Sequence, residues 1–73
     1  MARLPLLSGR EIIQVLCKLG YRKVRQRGSH IRLYCSGKKS ISVPNHRIVG
    51  RGLLRKILRD AEISVSELRI LLK

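Results

Sequence analysis

The sequence is poor in aromatic side chains. It has no Phe or Trp and only two Tyr among 73 residues. Proteins that bind single-stranded nucleic acids by stacking use a row of aromatic side chains, so this scarcity argues against that mode of binding. Cysteine is also scarce. Cys17 and Cys35 cannot form a disulfide framework and lack the spacing of a zinc site, which favours two reduced, buried thiols.

Long apolar segments are absent as well. No run approaches the length that a membrane span needs, and the first seven residues do not have the pattern of a signal peptide. We therefore expect a cytoplasmic protein with no membrane association. A chain of 73 residues has room for one small core, so we expect a single domain over residues 1–73.

Acidic residues are missing from the middle of the chain. None lies between Glu11 and Asp60, whereas thirteen of the seventeen Lys and Arg lie in that interval. The net charge is +13. A surface with this density of positive charge attracts a polyanion and releases its counterions on binding, so we expect contact with nucleic acid.

The four acidic residues do not form a pair suited to metal-assisted hydrolysis. They lie on predicted helices or at their ends, whereas two-metal nucleases need clustered Asp or Glu at the scissile phosphate. The sequence therefore predicts no metal site and no cofactor. A nuclease of this composition would act on RNA, because the 2′-hydroxyl of RNA can attack the adjacent phosphate without a metal ion.

Periodicity predicts the element order αβββαα. Ser8 and Glu11 form a capping box before one apolar stripe, and Ser64 and Glu67 form a second. We expect helices over 8–19, 52–61 and 64–72 and strands over 21–27, 30–35 and 40–43. The helices must cover one apolar face of an antiparallel sheet, which predicts an α+β two-layer sandwich.

Strand alternation predicts which side chains lie on the uncovered face of the sheet. If Ile31 and Leu33 face the helices, His30 must point to the opposite face. On the first strand Val24 is expected to point inward. The other side chains expected on the outer face are Lys23, Arg25, Arg27, Arg32, Tyr34 and Ser42.

His30 and His46 are the two candidates for proton transfer. An imidazole among cations can move a proton near pH 7 on a bound phosphodiester, but His30 could equally be a solvated residue at the end of a strand. The basic face could likewise be a purely electrostatic binding surface. His46 could approach the same surface or only order the loop before the second helix.

Several short segments together resemble one family, the HicA-type mRNA interferase toxins of toxin–antitoxin modules. The resemblance extends over nearly the whole chain. The matching segments are Leu7-Ser8-Gly9-Arg10-Glu11, Gly20-Tyr21, Arg25-Gln26-Arg27-Gly28-Ser29-His30, Val43-Pro44-Asn45-His46 and residues 52–61. The chain differs from the family pattern at Leu53, where Thr is common, and at Glu62, where glycine is common and would suit a left-handed C-cap.

The resemblance implies a fold like that of the double-stranded-RNA-binding domain and an endoribonuclease activity on mRNA. It places the catalytic role on His30, as base or acid, and implies a HicB-type antitoxin as the partner. Ser29, Tyr34, Ser42 and His46 are then candidate supporting residues. The candidate RNA-binding residues are Lys23, Arg25, Arg27, Arg32, Lys38 and Lys39.

Two other functions remain open at this point. The protein could be a small basic RNA-binding module of the same fold without catalysis. It could also be an interaction protein whose basic face serves only an acidic protein partner.

Overall fold

A three-stranded antiparallel sheet and three helices form the part of the chain that the computed structural model describes, residues 4–73. The sheet order is β1-β2-β3. This architecture confirms the predicted α+β fold, which is like that of the double-stranded-RNA-binding domain. The elements are α1 (Gly9–Lys18), β1 (Arg22–Arg27), β2 (His30–Tyr34), β3 (Ile41–Pro44), α2 (Arg51–Ala61) and α3 (Val65–Leu71).

The central strand β2 joins the sheet to the core. Leu33 is fully buried and Ile31 is nearly so, whereas the three residues that alternate with them are exposed. Ile12 and Leu16 of α1 and Leu54 of α2 belong to the same buried cluster. Among the described residues no charged side chain is buried, so every described cation lies at or near the surface.

Both predicted capping boxes are present. The Ser8 hydroxyl accepts a hydrogen bond from the backbone N–H of Glu11, and the Glu11 carboxylate accepts one from the backbone N–H of Ser8. Ser64 and Glu67 repeat this exchange at the start of α3. Each box satisfies amide donors that the first turn of a helix leaves without partners.

The predicted inward position of Val24 is wrong. Val24 is 50% exposed, and the pairing of β1 with β2 shifts between Lys23 and Arg25. A bulge inserts one extra residue, so the two-residue alternation does not continue across it. The register consequently pairs Lys23 with Leu33, on the helix side of the sheet, and pairs Arg22 with Tyr34 on the outer side.

Smaller corrections concern β3 and the cysteines. Pro44 does not lie beyond β3 but is its last residue, paired with His30. The position suits proline, because the end of an edge strand needs no further ladder donor. Cys17 is exposed on α1 and Cys35 is half-buried, so the expectation of two buried thiols is wrong. Between residues 4 and 73 no helix has the length and apolar content of a membrane span.

Glu62 ends α2 in a conformation that favours glycine. Its φ of 61° and ψ of 42° lie in the left-handed region. Within residues 4–73 every other residue with a positive φ is a glycine. The backbone N–H groups at this cap still reach the Arg59 and Leu58 carbonyls. The left-handed C-cap therefore forms without its usual glycine. The Cβ of Glu62 makes this backbone conformation less favourable than it would be for glycine.

We predict that Glu62→Gly raises the free energy of unfolding by about 0.5–1 kcal/mol, because glycine relieves the left-handed strain at a small cost in unfolded-state entropy. Arg59→Gly inside α2 is the matched control and should lower it by about 1 kcal/mol. Urea denaturation of both variants measures the two changes. Destabilisation by both substitutions would contradict the strain assigned to Glu62.

Candidate active site

Five side chains gather on the outer face of the sheet around His30. The pairs Arg25–Arg32, Arg27–His30 and Arg32–Ser42 stand directly opposite each other on neighbouring strands. Paired residues of an antiparallel sheet project to the same side. These five residues, which we name the outer-face cluster, line one shallow cavity of about 180 Å³. The predicted common face of these five side chains is thus confirmed.

The outer-face cluster is cationic. Three guanidinium groups surround an exposed imidazole, and no acidic side chain lines the cavity. Arg25 and Arg32 are cross-strand partners, and like charges directly opposite each other destabilise a sheet. A bound phosphate would relieve this repulsion, so the geometry favours an anionic ligand over the empty face.

The turn Gly28-Ser29 sets the position of His30. Arg27 pairs with His30, so the hairpin has a two-residue loop. Gly28 has a φ of 60° and Ser29 has no positive φ, as in a type II′ turn. Such a turn matches the twist of the strands and fixes their register. The sequence Gly-Ser-His therefore places the imidazole at the first position of β2.

His46 lies against the same turn. Its Nε2 is 3.2 Å from the Ser29 hydroxyl, and the backbone N–H of Asn45 donates to the Ser29 carbonyl at 2.6 Å. The Gly9 amide in turn donates to the His46 carbonyl at 2.9 Å. The loop after β3 is thus held between the hairpin turn and the start of α1. His46 is brought next to the residue that precedes His30.

Gly9 permits this close approach of α1 to the loop. A Cβ at this position would collide with the Pro44 carbonyl oxygen and would lie 2.9 Å from the Cα of Asn45. Both obstacles are backbone atoms, which cannot turn aside as a flexible side chain could. Only glycine fits here without a movement of the loop that carries His46.

We predict that Gly9→Ala lowers the free energy of unfolding by about 1–3 kcal/mol, because the added methyl group forces the backbone apart. Gly52→Ala in α2 is the matched control, since no atom lies within 4 Å of its added Cβ. The control should be neutral or more stable, because alanine is the better helix former. Thermal denaturation measures both variants, and a Gly9→Ala protein as stable as Gly52→Ala would contradict the close packing at Gly9.

Other predicted site residues lie away from His30. Tyr34 is exposed on the outer face but is the last residue of β2, about 13 Å along the strand from His30. Lys23 lies on the helix side, as described above. Neither residue lines the cavity of the outer-face cluster.

Lys38 and Lys39 belong to the turn at the far end of β2 and already have partners. The Lys38 ammonium donates to the Ala61 carbonyl at 3.1 Å, and Lys39 lies 3.9 Å from the Asp60 carboxylate. The Tyr21 hydroxyl donates to the Lys39 carbonyl at 3.0 Å. Burial raises the pKa of Tyr21, which keeps this hydroxyl protonated as a donor. The contacts of Lys38 and Tyr21 hold the turn in place, whereas the Lys39 side chain is 79% exposed and its pair with Asp60 is weak.

A second cavity, which the sequence reasoning missed, opens beside the outer-face cluster. It is a groove of about 360 Å³ between the edge strand β3 and α2, named here the β3–α2 groove. His30, Arg32 and Ser42 line both cavities. The remaining residues of the groove are Ser40, Ile41, Pro44, Leu53, Lys56, Ile57 and Asp60.

The sequence marks only the helix side of this groove. Its four α2 residues lie at positions 53, 56, 57 and 60, the i, i+3, i+4, i+7 spacing of a single helix face. Leu53 and Ile57 on that face are apolar. Among the described residues, His, Cys, Asp and Glu side chains form no group of three or more.

Fold and site together define a small basic α+β domain of the double-stranded-RNA-binding type with an imidazole on its cationic face. The family model of the HicA toxin of bacterial toxin–antitoxin systems matches residues 9–63, more than half of the chain. The chain therefore belongs to the HicA toxin family. Membership makes it the toxin of a toxin–antitoxin module, with an antitoxin as partner. A comparison with the curated proteins gives no significant match.

Proposed function

We propose that this toxin is an endoribonuclease that cleaves mRNA by metal-independent acid–base catalysis at His30. One observation carries the proposal: the exposed imidazole of His30 shares a cavity with three arginines and no acid. That arrangement places a proton-transfer group beside three cations that can bind a phosphodiester. We include in the proposal a single domain over residues 1–73 that acts in the cytoplasm.

The proposed reaction uses the nucleophile of the substrate itself. The 2′-hydroxyl attacks the adjacent phosphorus, the bond from phosphorus to the 5′-oxygen breaks, and a 2′,3′-cyclic phosphate and a 5′-hydroxyl result. A base takes the proton of the 2′-hydroxyl and an acid gives a proton to the departing oxygen. His30 performs one of these transfers. Arg25, Arg27 and Arg32 stabilise the negative charge that develops on the phosphoryl oxygens.

His46 is proposed as the second proton-transfer group. The Ser29 hydroxyl lies within hydrogen-bond distance of its ring, and the backbone contacts of its loop hold it beside the turn that carries His30. Ser29 thus acts as a positioning residue. Ser42 stands opposite Arg32 in the outer-face cluster and is proposed to orient the bound phosphate.

The acidic residues give no support to a two-metal mechanism. Asp60 is the only acidic side chain that lines either cavity, and its carboxylate is shared by Lys56 at 3.4 Å and Lys39 at 3.9 Å. Two-metal hydrolysis needs several carboxylates on the scissile phosphate. The cations of the outer-face cluster take over the charge stabilisation that metal ions provide in such enzymes.

The partner is proposed to be a HicB-type antitoxin. With a net charge of +13 and one strongly basic sheet face, this chain presents a surface that an acidic protein complements. An antitoxin that covers the outer-face cluster would exclude RNA from His30. Competition for the same cations accounts for inhibition without any change in the fold of the toxin.

We expect the purified wild-type protein to cleave a defined single-stranded mRNA in excess EDTA. His30→Ala should lower the cleavage rate at least about 100-fold, because it removes one proton-transfer group. Its affinity for the RNA should stay within about threefold, since phosphate contacts dominate binding. Gel analysis of the products and a native gel shift measure the two quantities. His46→Ala is the parallel variant and should slow cleavage as well.

Two results would reject the ribonuclease proposal. Intact RNA in every lane together with a gel shift would leave a basic RNA-binding module without catalysis. Equal cleavage by wild type and His30→Ala would place the chemistry elsewhere or reveal a contaminating nuclease. Cleavage that requires added divalent metal would contradict metal independence alone.

Arg25→Gln should weaken RNA binding and reduce the slope of log K against log salt concentration by about 1, since one phosphate contact is lost. Arg10→Gln on α1 is the control with the same charge change on the helix side, and its slope should be nearly that of wild type. Fluorescence anisotropy over a salt series measures both. Equal slopes for the two variants would show that the net charge, and not the outer-face cluster, governs binding.

A further inference from the structure

We infer that the β3–α2 groove is a nucleobase subsite that takes a base with an exocyclic amino group, with Asp60 as the specificity-determining residue. The inference rests on the proposed function, because it assigns one nucleotide of the RNA bound at His30. It adds a selection among bases that the outer-face cluster cannot provide, since phosphates are the same in every sequence.

The groove and the outer-face cluster meet at His30, Arg32 and Ser42, which line both cavities. A phosphate held between His30 and Arg32 therefore has cations on one side and the groove on the other. A nucleotide attached to that phosphate can place its base in the groove while the chain continues over Arg25 and Arg27. The volume of about 360 Å³ lies at the lower end of the range of small-ligand sites.

One exposed apolar side chain in the groove can cover a flat face of a base. Leu53 remains 37% exposed, whereas Pro44 and Ile57, which line the same groove, are buried and form its floor. An apolar side chain that stays partly exposed on a concave surface gains from covering by a ligand. An aliphatic slot of this kind can hold a base in a protein that has no Phe or Trp.

Polar groups are also available in the groove. The hydroxyls of Ser40 and Ser42 are exposed and make no hydrogen bond to a described residue. Asp60 supplies a carboxylate, which only accepts hydrogen bonds. A carboxylate favours bases that offer an exocyclic amino group, whereas the only donor on the pairing edge of uracil, N3–H, lies between two carbonyl oxygens that a carboxylate repels.

Helix stability does not account for Asp60. It lies in the last turn of α2, where the helix dipole disfavours a negative charge. Its two partners, Lys39 and Lys56, have side chains that are 79% and 63% exposed, whereas the Asp60 side chain is only 16% exposed. Pairs with such exposed lysines contribute little to stability. These lysines can move aside for an incoming amino group.

The test uses RNA that cannot be cleaved. In fully 2′-O-methylated oligonucleotides the attacking hydroxyl is blocked, so binding is measured apart from catalysis. Fluorescence anisotropy gives the Kd of oligo(A), oligo(C) and oligo(U) for wild type, Asp60→Asn and the control Glu62→Gln. Glu62 loses the same charge at the end of the same helix but does not line the groove.

Wild type should bind oligo(A) and oligo(C) about tenfold more tightly than oligo(U). In Asp60→Asn the ratio should fall towards one, because an amide donates to the uracil carbonyl as readily as it accepts from an amino group. Glu62→Gln should keep the wild-type ratio. A wild-type ratio near one, or an unchanged ratio in Asp60→Asn, would overturn the inference.

Leu53→Ala tests the apolar wall independently, and it is safe for folding because Leu53 is partly exposed. It should weaken binding of all three oligonucleotides severalfold without changing their ratio, and unaltered affinity would also overturn the subsite.

Cleavage of natural RNA by the same preparations separates the two proposals. A preference among the oligonucleotides without cleavage of RNA would reject the ribonuclease proposal and support the subsite. Cleavage of RNA without such a preference would support the ribonuclease proposal and reject the subsite.

Discussion

Burial of one face of β2 is the constraint on which the rest of the structure depends. Ile31 and Leu33 enter the core, and the two-residue period of a strand then forces His30 and Arg32 to the other side. A slip of one residue would carry the imidazole into the core and two aliphatic side chains into water. The two-residue turn that begins at Gly28 prevents that slip. The site is therefore fixed by hydrophobic burial and not by contacts among the charged residues themselves.

The cationic face is held against its own repulsion. The repulsion between Arg25 on β1 and its partner Arg32 on β2 destabilises the folded state. Among the described residues no charged side chain is buried in the core. Stabilising contacts lie elsewhere. They are the two capping boxes and the backbone hydrogen bonds that join the loop carrying His46 to Gly9 and to Ser29. An anionic partner that binds only the folded protein stabilises it further. Relief of the repulsion on this face would thus favour the binding of a phosphate.

The sequence was most informative where one physical signal acted alone. Alternation in β2 and the serine–glutamate boxes each had a single interpretation, and the structure confirms them. The predicted orientations of Val24 and Lys23 were wrong because all residues of β1 are exposed. Such a strand has no alternation of buried and exposed residues from which the bulge could be predicted. The contacts of Lys38 and Lys39 could not be predicted, since their partners Ala61 and Asp60 are distant along the chain. The groove was missed for the same reason, because it needs the placement of α2 against β3.

Under the proposed function, the placement of α2 separates two tasks that one surface could not perform. Charge repeated along an RNA backbone is read equally well at every nucleotide, so a purely cationic face cannot select where to act. Selection requires a contact of different chemistry beside the reacting phosphate. Asp60 and Leu53 lie on one helix face that opens towards His30 and Arg32. An acid in the last turn of α2 weakens that helix, and its position in the groove gives a physical reason for tolerating the cost.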